Sequence, residues 1–278
     1  CTTAMGMELG GFTVFFYCIE ARDLIWDLVE ETTGARLTTS YGRVGGVQHD
    51  LPEGFADKYR SVKKKVLDWV RDVDKMLTKN RIFIDRCRNT GIISQEDAIS
   101  YAMTGPFFLF TVVSYDVRKH KPYFVYDRFD FEVPLGHKGD NFDRYLIRIQ
   151  EIYQSFRIID QALEQIPEGA HIIDDPRYAL PPKAKVYSSI EGTINHFKLV
   201  MEGTPVPKGE AYGYTEGGNG ELGFHITSDG SGRPYKCHVR APGFQILSGL
   251  ARMCEGRMLA DLIPTFDTIN MIGGEVEQ

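Results

Sequence analysis

Few side chains in this 278-residue chain have the chemistry and surroundings of a reactive group. Glu8 lies in a stretch that is otherwise uncharged and largely apolar until Glu20, and we expect this first half of a long helix, with Glu8, to be buried. A carboxylate removed from water has a raised pKa and can exchange protons near neutral pH, although a hydrogen-bonded structural glutamate fits the same pattern. His49 and Asp50 form an adjacent pair of metal-ligand types, but no second histidine stands at ligand spacing. The sequence therefore predicts no metal site and one carboxylate that could handle protons.

A glycine pattern in the last third of the chain imitates a nucleotide site. Residues 218–223 read G-N-G-E-L-G, which fits the dinucleotide fingerprint G-x-G-x-x-G. That fingerprint works only when a strand precedes it and a helix follows, because the helix N-terminus holds the pyrophosphate. Here an alternating apolar run follows, and Asn-Gly is a common hairpin turn. The pattern predicts a β-hairpin, and we do not expect this chain to bind NADH directly.

Composition narrows the function classes further. The net charge is −6, without a long basic run, which argues against nucleic acid as a partner. The longest uncharged apolar run, residues 103–115, is too short for a bilayer, which needs about 20 residues. The five cysteines never form C-x-x-C, which favours reduced thiols. The chain begins with Cys rather than Met, and we interpret it as a fragment or a domain of a longer protein.

Hydrophobic periodicity predicts a mainly helical single domain over residues 1–278 with one small sheet. Helices are predicted at residues 3–32, 55–77, 140–166, 190–201 and 244–261, with a short one from residue 94. Strands are predicted around residues 212–214, 222–226 and 235–239, as a three-stranded antiparallel meander. Residues 107–115 are expected to be a buried β-rich segment, residues 123–131 a surface strand pair, and residues from 264 onward irregular.

Several long segments carry a family resemblance. They are IEGTINHFKLVMEG, NGELGFHITSDGSGRPYKCHVRAPGF, MELGGFTVFF, TGARLTTSYGRVGGVQHDLPEG and the closing GGEVEQ. They resemble the 49 kDa subunit family (the D subunits) of proton-pumping NADH:quinone oxidoreductase, respiratory complex I, over essentially the whole chain. The resemblance implies a mainly α (α+β) fold, a helical bundle like the nickel-iron hydrogenase large subunit with a small antiparallel sheet near the C-terminus. It also implies that this is the C-terminal part of the family's chain.

The resemblance implies a peripheral subunit that helps to form the quinone-reduction pocket and couples electron transfer to proton translocation. Quinone is then the substrate, and the adjacent 4Fe–4S cluster belongs to a partner, so this chain alone is expected to bind no cofactor. The implied partners are the iron–sulphur B subunit, the C and I subunits, and the membrane H subunit, at the cytoplasmic face of the cell membrane. The histidine and tyrosine that hold the quinone headgroup in the family lie upstream of residue 1, so the chain alone is expected to be inactive.

The resemblance assigns three residues to the quinone pocket. Glu8 stands where many relatives have Asp, so the charge type is kept and the reach is longer. Asn270 replaces the Asp of the family's closing D-I-V-x-G-E-V-D-R, and Ile272 follows it in the same tail. Acid chemistry is therefore not expected at Asn270. A packed terminus at a subunit interface explains this tail equally well.

A glycine-rich loop is assigned to the interface with the cluster-bearing subunit. The residues of this interface are Arg43, Gly45, Gly46, Gln48 and His49. The first three match the family's loop, whereas Gln48 occupies the position of the usual histidine and His49 follows it. Paired glycines permit backbone conformations that other residues avoid, or a close approach by another chain.

Two alternatives remain at this stage. One is a non-catalytic scaffold or assembly fragment. The other is a component of a hydrogenase-related membrane complex that uses a different electron donor. Hydrogenase activity itself is not expected, because a nickel centre of this type needs four thiolates from two C-x-x-C pairs, and Cys254 stands alone near the C-terminus.

Overall fold

The computed structural model describes residues 2–109 and 115–277. Its helices are α1 (Thr2–Glu8), α2 (Phe12–Thr33), α3 (Phe55–Leu77), α4 (Arg81–Cys87), α5 (Gln95–Ser100), α6 (Pro106–Leu109), α7 (Val117–His120), α8 (Asn141–Gln165), α9 (Lys183–Ser188), α10 (Ile190–Met201), α11 (Pro242–Ser248), α12 (Leu250–Cys254), α13 (Leu259–Ile269) and α14 (Gly273–Val276). Its strands are β1 (Gly42–Arg43), β2 (Gly46–Val47), β3 (Gly209–Gly217), β4 (Gly220–Ser228) and β5 (Lys236–Arg240). This mainly helical architecture with a small three-stranded sheet confirms the predicted fold class.

Helix α3 is the most regular amphipathic element, and the main core forms on its apolar face. Val62, Val66, Val70 and Val73 recur at intervals of four and three residues, so they share one stripe, and all four are buried. They belong to a core cluster with residues of α2 and α8. Burial of each such side chain contributes at most about 1.5–3 kcal/mol. Because the apolar stripe continues along the whole helix, α3 occupies residues 55–77, as its periodicity predicts.

A second core cluster brings the C-terminal helices onto the other side of α8. It contains Ile147 of α8, Phe107 of α6, Ile246 of α11, Met253 of α12 and Ile269 of α13, all buried. Helix α8 also supplies Tyr145, Ile149 and Phe156 to the first cluster. Both cores therefore share α8, and this helix sets where α13 lies relative to α3.

Arg144 of α8 connects these parts by hydrogen bonds rather than by apolar contact. Its side chain is buried, and its guanidinium donates to Asn141 Oδ1 at 2.6 Å, Thr268 Oγ1 at 3.2 Å and the Gly139 carbonyl at 3.1 Å. It also donates to the Gly91 carbonyl. Burial lowers the pKa of Arg144. A guanidinium has enough donors in a fixed plane to bond several separate chain segments at once.

The sheet has strand order β3-β4-β5, antiparallel throughout. Gly217 pairs with Gly220, so Gly218 and Asn219 form the turn between β3 and β4. The glycine fingerprint is therefore a hairpin, as the sequence predicts. Asn219 is buried and Arg148 Nη1 donates to the Gly218 carbonyl at 2.5 Å. These contacts attach the tip of the hairpin to the helical part of the molecule.

The prediction of one helix over residues 3–32 is wrong, because two helices form there. Gly10 adopts φ +90° and the Gly11 N–H bonds to the Gly6 carbonyl at 2.7 Å, which ends α1 and starts a new helix axis. Gly34 then ends α2 in the left-handed conformation. The predicted burial of the first half is also wrong, since Phe12 and Phe16 are 61% and 66% exposed.

The aromatic segment 123–131 does not form the predicted strand pair. Residues Tyr126–Arg128 form a 3₁₀ turn, and Tyr126 makes edge contacts with Tyr123, Phe129 and Phe131. Alternating aromatics resemble a strand in sequence, but here they pack against each other around a turn. The related β-rich prediction for residues 107–115 is wrong at its start, where α6 (Pro106–Leu109) is helical, and residues 110–114 lie outside the described part of the chain.

The C-terminal region also differs from its prediction. The expected helix over residues 244–261 is divided, with Gly249 between α11 and α12 and Gly256 at φ +71° before α13. Helix α13 continues through Pro264, where irregular chain is predicted. Pro264, Thr265 and Ile269 are buried. Tertiary packing of this face outweighs the cost of one proline inside the helix. Within the described ranges, no helix combines the length and apolarity needed to cross a membrane.

Replacement of Arg144 by Met tests the connecting role of this side chain. We expect Arg144→Met to lower the free energy of unfolding by about 3–5 kcal/mol, because several buried acceptors lose a charged donor. Urea denaturation followed by circular dichroism measures the change. Arg157→Met is the matched control on the same helix, since the Arg157–Asp130 ion pair is exposed and its loss should cost at most about 1 kcal/mol. Equal effects of the two variants would contradict the proposed role of Arg144.

Candidate functional site

Glu8 is the last residue of α1 and its side chain is exposed. The expectation of a buried glutamate is therefore wrong in this chain. The reason is the break at Gly10, which turns the chain away before a second apolar face can cover Glu8. Helix α1 is also packed against α13. This packing places the Glu8 end of α1 beside α13.

Asp267 of α13 is the carboxylate that interacts with Glu8. Burial raises the pKa of Asp267 to about 6, and the negative charge of Glu8 raises it as well. The Oδ2 atom of Asp267 is buried and has no hydrogen-bond partner among the described residues. Two carboxylates that interact at a helix interface, one of them desolvated, form a place where a proton is held near neutral pH.

The sequence analysis missed Asp267 because it falls in the segment predicted to be irregular. A signal was nevertheless present in the sequence. If the helix is continued through Pro264, Asp267 lies three residues later, on the same face as that buried proline. The residue therefore becomes visible only once the helix is known to tolerate Pro264.

Asn270 has a structural role at the end of α13. It ends the helix at φ +54° and ψ +48°, in the left-handed region that Asn tolerates. Its Nδ2 donates to Asn219 Oδ1 at 2.8 Å, and Asn219 Nδ2 donates back to the Asn270 carbonyl at 3.0 Å. The amide pair joins the β3–β4 turn to α13. Ile272, two residues later, is largely exposed, as is Met271.

The three predicted pocket residues thus lie around one end of α13. Glu8 is close enough to Asp267 to shift its pKa, and Asp267 precedes Asn270 by less than one helical turn. Ile272 follows on the chain that leaves the helix. The arrangement offers one proton-exchanging pair, one amide that is engaged with Asn219, and exposed apolar side chains.

The glycine-rich loop forms the short hairpin β1–β2, in which Arg43 pairs with Gly46. Gly45 has φ +90° and Gly46 has φ +153°. A Cβ at Gly46 would collide with the His171 carbonyl oxygen, and one at Gly45 would lie 2.6 Å from Ile173 Cγ1. The Val47 N–H bonds to that same His171 carbonyl at 2.9 Å. Residues 171–173 of the same chain therefore occupy the space that these glycines leave.

The remaining loop residues present their side chains outward. Arg43 is exposed, and its Nε donates to the Ser40 carbonyl at 2.9 Å. His49 is exposed and accepts through its backbone carbonyl from Tyr41 Oη at 2.8 Å, while Gln48 is partly buried. Val44, at the tip, is also exposed. The loop contacts the 171–173 segment, whereas Glu8 contacts α13, so the structure places the two predicted sites on different supporting elements.

No group of three or more His, Cys, Asp or Glu side chains that could hold a metal ion occurs within residues 2–109 and 115–277. His49 and Asp50 accordingly form no such cluster with their described neighbours. The chemistry that these residues can perform is proton exchange at the Glu8–Asp267 pair and polar or ionic contact through Arg43 and His49.

Removal of the Asp267 charge should stabilise the chain at neutral pH. The folded-state pKa of Asp267 is about 6, above the usual value of 3.8. At a pH between these two values, the native state therefore keeps a proton that the unfolded state has released. Stability is therefore lost as pH rises from about 4 to 6. We expect Asp267→Asn to be about 1–2 kcal/mol more stable than the parent at pH 7.5 and to show a smaller loss across that window. Urea titrations at several pH values measure this, and a parallel pH dependence of both proteins would contradict it.

Substitution of Gly46 tests the contact with residues 171–173. We expect Gly46→Ala to destabilise the chain by about 1–3 kcal/mol, because the new methyl group meets a backbone carbonyl and φ +153° is strained for alanine. Gly42→Ala is the matched control, since a Cβ there meets nothing within 4 Å. Thermal unfolding compares the two variants, and equal melting temperatures would show that the contact is not tight.

Comparison with known proteins defines the family. Residues 8–278 match the family described as "Respiratory-chain NADH dehydrogenase, 49 Kd subunit". The chain is 58% identical over 278 residues to the NADH-quinone oxidoreductase D subunit of Myxococcus xanthus (strain DK1622), covering 100% of this chain and 67% of the relative. It is also 58% identical over 275 residues to the D subunit numbered 2 of Anaeromyxobacter sp. (strain K), covering 99% of this chain and 64% of that relative.

A third relative gives the same picture. The D subunit numbered 1 of Sorangium cellulosum (strain So ce56) is 54% identical over 278 residues, covering 100% of this chain and 69% of the relative. The chain thus spans about two thirds of the length of the curated relatives that it matches. With a family match over nearly all of its residues, the chain belongs to the 49 kDa subunit family of the respiratory-chain NADH dehydrogenase.

Proposed function

We propose that this chain serves NADH:quinone oxidoreductase as the subunit that forms part of the quinone-reduction pocket and couples electron transfer to proton translocation. The observation that carries the proposal is the Glu8–Asp267 pair at the interface of α1 and α13, in a chain of this family. Reduction of a quinone to a quinol consumes two electrons and two protons. A carboxyl group that titrates near pH 6 can release and recover a proton under physiological conditions.

Apolar side chains beside this pair suit the rest of the ligand. Met271 and Ile272 are exposed at the end of α13, and Phe12 and Phe16 are exposed on the first turns of α2, just after Glu8. A quinone site needs apolar walls for the ring and tail together with a few polar groups. In this proposal Asp267 carries the exchangeable proton and Glu8, beside it, faces the ligand. Ile272 contacts the ligand, and Asn270 holds the end of α13 through its bond to Asn219.

The β1–β2 loop is proposed to contact the iron–sulphur B subunit, whose 4Fe–4S cluster delivers the electrons. Arg43 and His49 are exposed polar side chains, and Val44 is an exposed apolar one at the tip. Interface patches commonly combine an arginine with exposed apolar side chains. Gly45 and Gly46 hold the loop against residues 171–173, so the loop presents a defined shape to the partner.

The C, I and H subunits are proposed as the other partners, with the chain held at the cytoplasmic face of the membrane through them. The apolar face of α10 supports extensive partner contact. Ile190, Ile194, Phe197 and Met201 share this face at helical spacing, and all are exposed. A contiguous exposed apolar face of this kind marks an interaction surface.

That same face of α10 also favours a second candidate, a non-catalytic scaffold that only joins other subunits. In that case the carboxylate pair would be a feature of helix packing and quinone reduction would not depend on it. A hydrogenase-related complex with another electron donor differs from the main proposal only in the donor. The names of the relatives, which specify NADH, support the main proposal.

Replacement of Glu8 in the assembled membrane complex separates catalysis from scaffolding. We expect Glu8→Gln to lower quinone reductase activity at least tenfold, because the amide has no charge to raise the pKa of Asp267 and breaks the carboxylate pair, while Glu8→Asp retains most activity. NADH-driven reduction of a quinone analogue by washed membranes is the measurement. Electron transfer from NADH to a soluble artificial acceptor that bypasses the quinone reports whether the complex is otherwise intact.

Glu20→Gln provides the matched control, because Glu20 is also an exposed glutamate near the start of the chain, on α2. It should leave quinone reduction unchanged. Normal assembly and full quinone reduction in Glu8→Gln would refute the catalytic role and leave the scaffold.

A further inference from the structure

A groove of about 880 Å³ lies between α2, α3 and α8, away from the Glu8 site. We name it the α2–α3–α8 groove. Its apolar lining includes Cys18, Ile25 and Val29 of α2, Val66 of α3, and Ile152 of α8. The buried valine stripe of α3 forms its floor. A groove of this volume is far larger than the voids that a close-packed interior leaves, and its lining is largely apolar.

One end of the groove is charged. Arg148 of α8 lines this end, with Nη1 bonded to the Gly218 carbonyl. Its Nη2 atom is buried and has no hydrogen-bond partner among the described residues. Glu151 Oε2 lies 3.7 Å from the other terminal nitrogen, Nη1, beyond ordinary hydrogen-bond distance. Burial lowers the pKa of Arg148. A buried guanidinium donor without an acceptor is costly, which indicates that an acceptor belongs in the groove.

The acids at the same end are only partly compensated by cations. Burial raises the pKa of Glu216 to about 7 and also raises the pKa of Glu151. Arg118 lowers both pKa values, but it is engaged by Asp116 at 2.7 Å, and burial outweighs its effect. An occupant that carries a basic side chain would allow both glutamates to ionise and would offset their burial.

The size and position of the groove indicate where the occupant comes from. A helix about 10 Å across with a volume of 880 Å³ is roughly 11 Å long, or about two turns. Thr2 and Thr3 of α1 lie on the wall of the groove, so a polypeptide joined ahead of them would start beside it. In the relatives about a third of the chain lies outside the matched residues. A helical bundle with an apolar groove is completed by a further helix that covers its core positions.

We infer that the α2–α3–α8 groove is the docking site of an amphipathic helix from the part of the polypeptide that the longer relatives carry outside the matched region. Its apolar face packs on Ile25 and Val29 of α2 and Ile152 of α8, which line the groove and keep accessible surface. A basic side chain on it pairs with Glu216 and Glu151, and an acceptor oxygen receives the Nη2 donor of Arg148.

Cys18 reports occupancy, since it lines the groove and is partly buried. The chain is treated with N-ethylmaleimide at one fixed pH, because burial raises the pKa of this thiol to about 11. Mass spectrometry follows labelling at Cys18 and at the exposed Cys237. The probe is the portion of the Myxococcus xanthus relative outside the match, added as a separate polypeptide. We expect it to slow labelling of Cys18 at least tenfold and to leave Cys237 unchanged.

Two matched substitutions on α2 test the location. Ile25 lines the groove and Ile19 does not, although the two side chains are almost equally exposed, at 38% and 39%. Ile25→Arg should abolish the protection of Cys18 and Ile19→Arg should retain it. Glu216→Gln, whose fold is checked by circular dichroism, should raise the probe concentration needed for half-protection about tenfold, because the ion pair with the occupant is lost.

Equal labelling of Cys18 with and without the probe would overturn the inference, as would protection that survives in Ile25→Arg. Protection in the chain alone that grows with its concentration and disappears in Ile25→Arg would identify a second copy as the occupant, which also overturns it. None of these measurements involves quinone, so they are independent of the catalytic proposal.

Discussion

The burial of Arg144 is the interaction on which the candidate site depends. A guanidinium inside a protein is stable only when its donors are used, and Arg144 uses them on Asn141, the Gly91 and Gly139 carbonyls, and Thr268 of α13. These acceptors come from segments far apart in sequence. Because one of them lies on α13, the position of that helix is tied to α8.

The position of α13 in turn determines which charges meet. Thr268 follows Asp267 directly, so the hydrogen bond from Arg144 also fixes the place of the Asp267 carboxylate. Helix α1 packs on the same helix and brings Glu8 to it. The β3–β4 hairpin is attached at the other end by the Asn219–Asn270 amide pair. One buried cation on α8 thus supports the geometry of a proton-exchanging pair to which it is not itself bonded.

Long helices could be predicted from the sequence because their stabilising pattern is local. Helix α3 occupies residues 55–77 and α10 residues 190–201, as their apolar spacing predicts. The break between α1 and α2 could not be read from that spacing, since the apolar periodicity continues across it and only Gly10 and Gly11 mark it. The strand prediction for the aromatic segment 123–131 was wrong for a related reason, because alternation alone does not distinguish a strand from rings packed around a 3₁₀ turn.

The candidate site could likewise be predicted only in part from the sequence. Glycine at positions 45 and 46 correctly indicated unusual backbone conformations, but the close approach was expected from another chain. The segment that approaches is residues 171–173 of the same chain, more than 120 positions away and without periodicity. Asp267 was hidden because a proline inside a helix is normally a sign of its end.

A further partner would change the pKa values in opposite directions at the α2–α3–α8 groove and at the Glu8–Asp267 pair. At the groove, Glu216 and Glu151 have raised pKa values because burial outweighs the nearby cations, and a docked basic side chain would lower them. At α13, the pKa of Asp267 is raised by burial and by another acid, and apolar cover over the exposed end of the helix would raise it further. A basic helix docked in the groove would therefore favour ionised Glu216 and Glu151 in structural ion pairs. Apolar cover over the Glu8 end of α1 would instead favour a protonated Asp267. This difference in sign is the physical reason to regard the groove as a place for assembly and the Glu8–Asp267 pair as a place for proton chemistry.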